Sequence, residues 1–295
     1  MTRKSSTALL SVASNSTLIA IKIAAGILTG SVSIISEAIH STMDLAASLI
    51  AFISVRISDI PPDRNHPYGH EKVENVSGII EALLILSAAV WIIYEAVKKV
   101  LHPEPVSRAW VGLIVMAVSA GINQLVSFRL YRVSKQESSL ALEADALHLR
   151  ADVLTSAGIA AGMAVIWLTK VSWIDSLLAV AVAVIIVKEA VELLRKAFEP
   201  LLDASLSDEE LRLVEEALQE HLSEVCDYHE LRTRSAGKTR HIDMHITLPP
   251  DLSVKDAHDL ATRIESAIES KLPHTMVLIH IEPCDKICEV CKLKH

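Results

Sequence analysis

Cysteine is missing from the first 225 residues. The four that exist, Cys226, Cys284, Cys288 and Cys291, lie in the last third of the chain, three of them crowded at its end. That spacing is closer to a metal or thiol tail than to a disulfide framework. A basic excess is missing too: 28 Lys and Arg face 36 Asp and Glu, a net charge of −8. An acidic balance argues against nucleic acid as a partner and fits a surface that attracts cations. No H-E-x-x-H string occurs. An intramembrane metalloprotease would need one, with its glutamate as base, so no enzyme activity is expected. Internal repeats and low-complexity linkers are absent as well. The first apolar segment follows Arg3 and Lys4 as a signal peptide would. It lacks a clean small-residue cleavage site, and it carries Asn15 and Lys22.

What the chain has in quantity is apolar sequence. Hydrophobic residues make up 51% of 295, above the usual soluble share. Six stretches approach the ~20 apolar residues that a bilayer requires, over about 7–29, 31–56, 76–101, 109–131, 139–168 and 173–197. Gly30 and Ser31 make a tight turn between the first two. Six spans put both termini on one side. That side collects Arg3, Lys4, Arg56, Arg64, Lys72, Arg129, Arg132, Lys135, Arg195 and Lys196, against Lys98, Lys99, Arg108 and Lys170 opposite. The bias predicts cytoplasmic termini in a multi-pass protein of the cell (inner) membrane.

The charge is uneven. Residues 1–202 hold 17 acidic and 17 basic side chains, whereas 203–295 hold 19 and 11. The expected organisation is a six-helix transmembrane domain over 1–203, a cytoplasmic α/β domain over 204–284 and a cysteine-containing tail over 285–295. Within the α/β domain, SDEELRLVEEALQEHL and SVKDAHDLATRIESAIESKL read as serine-capped amphipathic helices. YHELRTRSAGKTRHIDMHITL reads as two strands around a Ser-Ala-Gly-Lys turn, and TMVLIHIEP as a third. The order helix, strand, strand, helix, strand predicts a small open-faced sandwich, with helices on one side of a sheet.

Two apolar stretches each place a histidine and an aspartate four residues apart: His40 with Asp44, and His148 with Asp152. Positions i and i+4 share a helix face. An ionisable group at membrane depth is expensive and faces a partner or a pathway. Two such helices facing each other offer two imidazoles and two carboxylates, a set suited to a tetrahedral divalent ion, zinc first. A lone pair would read as a structural hydrogen bond; two at the same spacing read as a metal site. Glu81 and Asp145 are apolar-segment carboxylates that line a path, snorkel, or pair with Lys22 or Arg150.

Other ligand types cluster elsewhere. DRNHPYGHEKVE offers Asp63, His66 and His70, either converging on one ion or forming a solvated polar loop. In the α/β domain His229, His241, His245, His258, His280 and Glu282 fall on or near strands and a helix, and a subset are ligands. Cys284, Cys288, Cys291 and His295 read C-x3-C-x2-C-x3-H, a spacing that could wrap one soft ion or belong to a reduced terminus without ligand role.

The strings SVSIISEAIHSTMDLAASL, HPYGHEKVE, ADALHLRADVLTS, LRTRSAGKTRHIDMHI and VLIHIEPC together resemble the cation diffusion facilitator family, from about residue 8 to Cys284. The resemblance implies six transmembrane helices in lipid, a metallochaperone-like (ferredoxin-like) cytoplasmic domain, a homodimer and efflux of a divalent metal in exchange for protons. It places the transport site on His40, Asp44, His148 and Asp152. Many bacterial members have aspartate at the position of His40, and two histidines with two aspartates resemble the zinc-preferring members. Zn2+ is therefore the expected ion, with Fe2+, Mn2+, Co2+, Ni2+ or Cd2+ as alternatives, cadmium the weaker. The resemblance also implies a loop site on Asp63, His66 and His70, and dimer-interface metals on His229, His245, His258, His280 and Glu282. At the position of Glu282 the family more often has aspartate. It implies an interlock between domains on Lys72 and Asp203. The tail after Cys284 is not part of the usual pattern. A membrane metal sensor or scaffold without transport is the rival from another class.

Overall fold

The computed structural model describes the backbone of residues 2–29, 32–101, 109–169 and 173–285. Side chains of 32–40 and 159–179, among others, lie outside the described set. The chain divides into two units, Met1–Phe198 and Glu199–His295.

Among the described residues, the first unit forms six long helices: α1 (Arg3–Thr29), α2 (Val32–Ser58), α3 (Val73–Leu101), α4 (Ala109–Glu137), α5 (Leu140–Thr169) and α6 (Trp173–Phe198). At 26 to 30 residues each is roughly 40 Å long, enough to cross a bilayer with a turn to spare. Among the described residues, two stretches are both long and apolar enough to span by composition, Arg3–Ala24 and Val73–Tyr94.

Several helices run past their expected ends, and each extension has a cause. α1 starts at Arg3 because Lys4 is buried against Glu74 of α3, Nζ to Oε1 2.9 Å. α4 continues to Glu137 because its basic side chains lie over its own aromatic rings: Arg132 over Phe128 at 4.7 Å and Lys135 over Tyr131 at 5.1 Å. Their stems thus cover apolar surface while the charge reaches outward. The helices share two apolar cores. One joins α1, α2, α4 and α5 through Ala8, Val55, Leu130, Leu142 and Leu149. The other joins α3, α5 and α6 through Ala82, Ile85, Ala144, Ile186 and Leu193.

The second unit opens with a 3-10 turn at Glu199–Leu202 and continues with α7 (Asp208–Gln219), β1 (Asp227–Ala236), β2 (Thr239–Leu248), α8 (Val254–Lys271) and β3 (Thr275–Pro283). Ser207 caps α7 in a reciprocal box with Glu210, and Ser253 caps α8. β1 and β2 pair antiparallel around Gly237, whose φ of 60° suits the first position of a two-residue hairpin turn. β2 and β3 pair parallel, as the intervening α8 requires. The sheet order is β1-β2-β3. Alternate residues of β2, Ile242, Met244, Ile246 and Leu248, are buried against Val214, Leu218, Leu260, Ile264 and Ile268 of the two helices. The intervening residues of β2, including His241 and His245, therefore lie on the face without helices.

Candidate metal centres

In the helical unit, α2 and α5 bring three of the expected ligands together. His148 Nε2 stands 3.4 Å from Asp44 Oδ1, and ligand atoms of Asp44, His148 and Asp152 all lie within 4.8 Å of one another. Asp44 is 8% exposed and His148 7%, so a bound ion would have most of its water replaced by protein. The fourth expected ligand, His40, is on α2 one turn before Asp44; its side chain lies outside the described residues. A ring of small polar contacts surrounds the cluster. Asn15 Nδ2 donates to the backbone oxygen of Asp44 at 3.3 Å, pinning α1 to α2 beside the ligand. Lys22 Nζ donates to Ser41 Oγ at 2.6 Å, and Arg150 pairs with Glu189 at 3.7 Å. Neither cation therefore meets Glu81 or Asp145.

The loop between α2 and α3 folds around Asp63. Its Oδ1 accepts from the backbone N–H of Asn65 and of His66, at 2.8 and 2.7 Å. The His66 N–H is the main reason that the Asp63 carboxyl is held below the usual carboxylate range, and the Asn65 N–H adds to it. The shift favours the charged carboxylate, the form that a metal ligand must take. His66 Nδ1 is 3.3 Å and His70 Nε2 3.5 Å from the same carboxylate. His70 Nδ1 faces the Ile60 carbonyl at 3.3 Å. A carbonyl only accepts, so Nδ1 is the donor in that contact and Nε2 is left facing Asp63, the usual way an outer partner orients a metal ligand. Gly69 makes the bend with a φ of 87°, where a side chain would be strained.

In the second unit, three histidines stand side by side across three strands. His229 pairs in register with His245, and His245 with His280. Their ring centroids are 5.4 and 4.7 Å apart. Glu282 reaches back along β3, placing Oε1 3.0 Å from His245 Nδ1 and Oε2 3.3 Å from His229 Nε2. His229, His245 and Glu282 all fall within 4.8 Å. Two imidazoles and a carboxylate at that spacing fit a zinc-type ion. His229 joins the row because of a bulge. Between His229 and Arg232 strand β1 has one residue more than β2, and Glu230 takes a φ of 50°. Without that extra residue, period-two alternation would send His229 to the helix side.

The remaining expected residues are placed as follows. His258 is exposed on α8, whose buried side packs on the opposite face of the sheet, so its own protomer does not bring it to the histidine row. Lys72 is half-buried just before α3, in the first unit. Asp203 lies in the second unit, with a φ of 53° and Arg234 Nη1 3.6 Å from its carboxylate. Cys284 follows β3, its N–H donating to the Leu248 oxygen at 2.8 Å. Cys288, Cys291 and His295 lie outside the described residues.

One functional-looking group was not foreseen. Glu74 accepts from Lys4 Nζ at 2.9 Å and from Ser58 Oγ at 2.6 Å, while its second oxygen accepts from the hydroxyl of Ser139 and the N–H of Ala141. It ties the ends of α1, α2, α3 and α5 together. The only sequence signal is an acid in a first helical turn, which does not reveal partners 65 to 70 residues away.

The chain resembles known proteins over most of its length. Residues 8–202 match the cation efflux transmembrane domain, and residues 206–284 the cytoplasmic domain of cation efflux proteins. The chain is 33% identical over 271 residues to the cation-efflux pump FieF of Cronobacter sakazakii, covering 92% of this chain and 89% of that protein. An uncharacterised transporter of Synechocystis is 33% identical over 278 residues, 94% of this chain and 90% of the relative. The metal-bound C-terminal domain of the CzcD transporter from Thermotoga maritima is 28% identical, covering 28% of this chain and 99% of that one, with a TM-score of 0.25. With matches running from residue 8 to residue 284 and relatives aligned over nearly their whole length, the chain belongs to the cation diffusion facilitator family and is a membrane-embedded cation efflux transporter.

Proposed function

We propose that the protein exports a divalent metal ion, zinc foremost, from the cytoplasm in exchange for protons. The observation that carries this reading is the buried convergence of Asp44, His148 and Asp152 from two helices, with His40 one turn along α2 as the fourth ligand. Two neutral imidazoles and two carboxylates leave a dication with no net charge, which lowers the cost of holding it at membrane depth. Imidazole binds metal only when deprotonated, so protons and metal compete at His40 and His148. Alternating exposure of such a site to the two sides couples metal leaving to protons entering. A tetrahedral set of two nitrogens and two oxygens favours zinc; ferrous iron, manganese, cobalt, nickel and cadmium use the same mechanism less well. The six helices are the six spans, both termini lie in the cytoplasm, and the membrane is the cell's inner one. Zinc uptake into proteoliposomes under an imposed pH gradient tests this reading, and it also separates transport from a binding-only sensor.

The other two clusters hold resident metal rather than cargo. Asp63, His66 and His70 form a loading or sensing site on the cytoplasmic side. The row of His229, His245 and His280 with Glu282 lies at a subunit interface of a homodimer, where His258 of a second copy completes it. Metal there offsets repulsion between two acidic domains. The Cys284, Cys288, Cys291 and His295 tail adds a thiolate-rich loading site. Zinc at 100 times its dissociation constant should stabilise the second unit by about 2.7 kcal/mol. In a His245→Ala, His280→Ala double variant most of that gain should vanish in thermal unfolding. Equal zinc stabilisation of variant and parent would place the interface metal elsewhere.

A further inference from the structure

Two buried carboxyls of the helical unit, among the described residues, have neither a place in the three metal clusters nor a lysine or arginine partner. Glu81 on α3 and Asp145 on α5 are both 0% exposed. Glu81 accepts one hydrogen bond, from Ser77 Oγ at 3.2 Å, through Oε1, while its Oε2 meets no hydrogen-bonding group among the described residues. Neither oxygen of Asp145 meets one. The buried hydroxyl of Ser11 on α1 faces Asp145 without closing a hydrogen bond. No lysine or arginine among the described residues reaches either carboxyl: Lys4 is held by Glu74 and Asp59, Lys22 by Ser41, and Arg150 by Glu189. Around the pair, α6 packs apolar Ile186, Ala190 and Leu193 against Ala82 and Ala144, the neighbours of Glu81 and Asp145, and on α4 Ser127 Oγ donates to the Ala146 oxygen at 2.7 Å. The titratable group that faces the pair is His148 on α5, which belongs to the cluster with Asp44 of α2 and Asp152. Neither Glu81 nor Asp145 hydrogen-bonds or ion-pairs with His148.

The geometry points to Glu81 and Asp145 as a proton-binding pair, separate from the metal ligands, that releases its proton when a dication enters the site of Asp44, His148 and Asp152. The inference rests on the transport reading above. A carboxylate buried in an apolar helix bundle without a cation has no stable charged form. The counter-charge that fits a site closed to solvent is a proton, which needs no channel of ionic width. The dication then supplies positive charge across a low-dielectric gap. Attraction for the proton falls, the O–H bond opens, and the proton leaves to the cytoplasm while the carboxylate remains as an outer counter-charge to the metal. Return of a proton after the ion departs resets the pair. Coupling is thus electrostatic and does not require proton and metal to share every ligand.

The experiment uses the full chain in proteoliposomes, with zinc as probe and a pH-sensitive dye in the lumen, and compares the parent with Glu81→Gln and Asp145→Asn. Protons moved per zinc should fall by about one in either variant, because two coupled carboxyls titrate as a pair, and the pH profile of flux should flatten. Zinc affinity of the purified variants should stay within about tenfold of the parent. A parent that exchanges zinc for protons, with variants that keep its proton count and pH profile, overturns the inference. Glu81→Gln, nearly isosteric, decides the matter alone if Asp145→Asn does not fold. A parent that moves no zinc overturns the transport reading instead, and the two failures are distinct.

Discussion

Replacing Asp152 with alanine is expected to reduce metal flux to background while leaving a folded protein. Four ligands together hold a zinc ion with about 10–16 kcal/mol, so each carries roughly 2.5–4 kcal/mol, about a hundredfold to a thousandfold in affinity. Asp152 is half-buried on α5, one turn beyond His148. When it is lost Asp44 still stands 3.4 Å from His148, so the cost in stability should be small. The check is zinc flux in proteoliposomes beside the thermal unfolding of the same preparation. Flux at the parent's level in a folded variant would remove the buried cluster from the mechanism.

A second large effect is expected at the other end of the helices. Glu74→Ala removes the main partner of Lys4, whose side chain is 10% exposed. Breaking a buried ion pair by deleting one partner costs about 3–5 kcal/mol. Asp59, 3.3 Å from Lys4 Nζ, remains to share the charge, so the expected loss is near the lower end, about 3 kcal/mol. Removing both charges, as in Lys4→Met with Glu74→Gln, should recover most of the loss, because glutamine keeps an acceptor for Ser58 and Ser139. Unfolding in detergent by heat or denaturant measures both. A single Glu74→Ala variant as stable as the parent would mean that the cluster does not hold the helix ends.

The two effects separate what the amino-acid order reveals from what it hides. Asp152 is visible in the sequence because its signal is local. An imidazole and a carboxylate four apart in an apolar run share a helix face wherever that helix goes, and a second such pair supplies the opposing half. Glu74 is hidden because its partners are spread over Lys4, Ser58 and Ser139, and nothing in a helix's first turn says which distant ends will meet. The same distinction explains the start of α1. Arg3 and Lys4 look like flanking charges outside a span from residue 7, whereas Lys4 is inside the helix and buried through a contact 70 residues away.

The second unit follows the same rule. Its helices carry serine caps and its second strand alternates cleanly, so both were readable. The bulge at Glu230 was not. Simple alternation from Arg232 and Arg234 puts His229 on the wrong face, and only the inserted residue returns it to the row with His245 and His280. For His258 the sequence offers a ligand type but no direction. The fold sets it on the helical side of its own sheet, which is why a second protomer has to be invoked for it.

The most direct measurement is simultaneous zinc and proton movement in sealed proteoliposomes containing the purified protein. With an inside-acid gradient and zinc outside, zinc should accumulate against its own gradient as protons leave, and collapse of the gradient by a protonophore should stop it. Asp152→Ala vesicles should show neither flux. Zinc accumulation that ignores the pH gradient, or that persists in Asp152→Ala, would contradict proton-coupled export through the Asp44, His148 and Asp152 site.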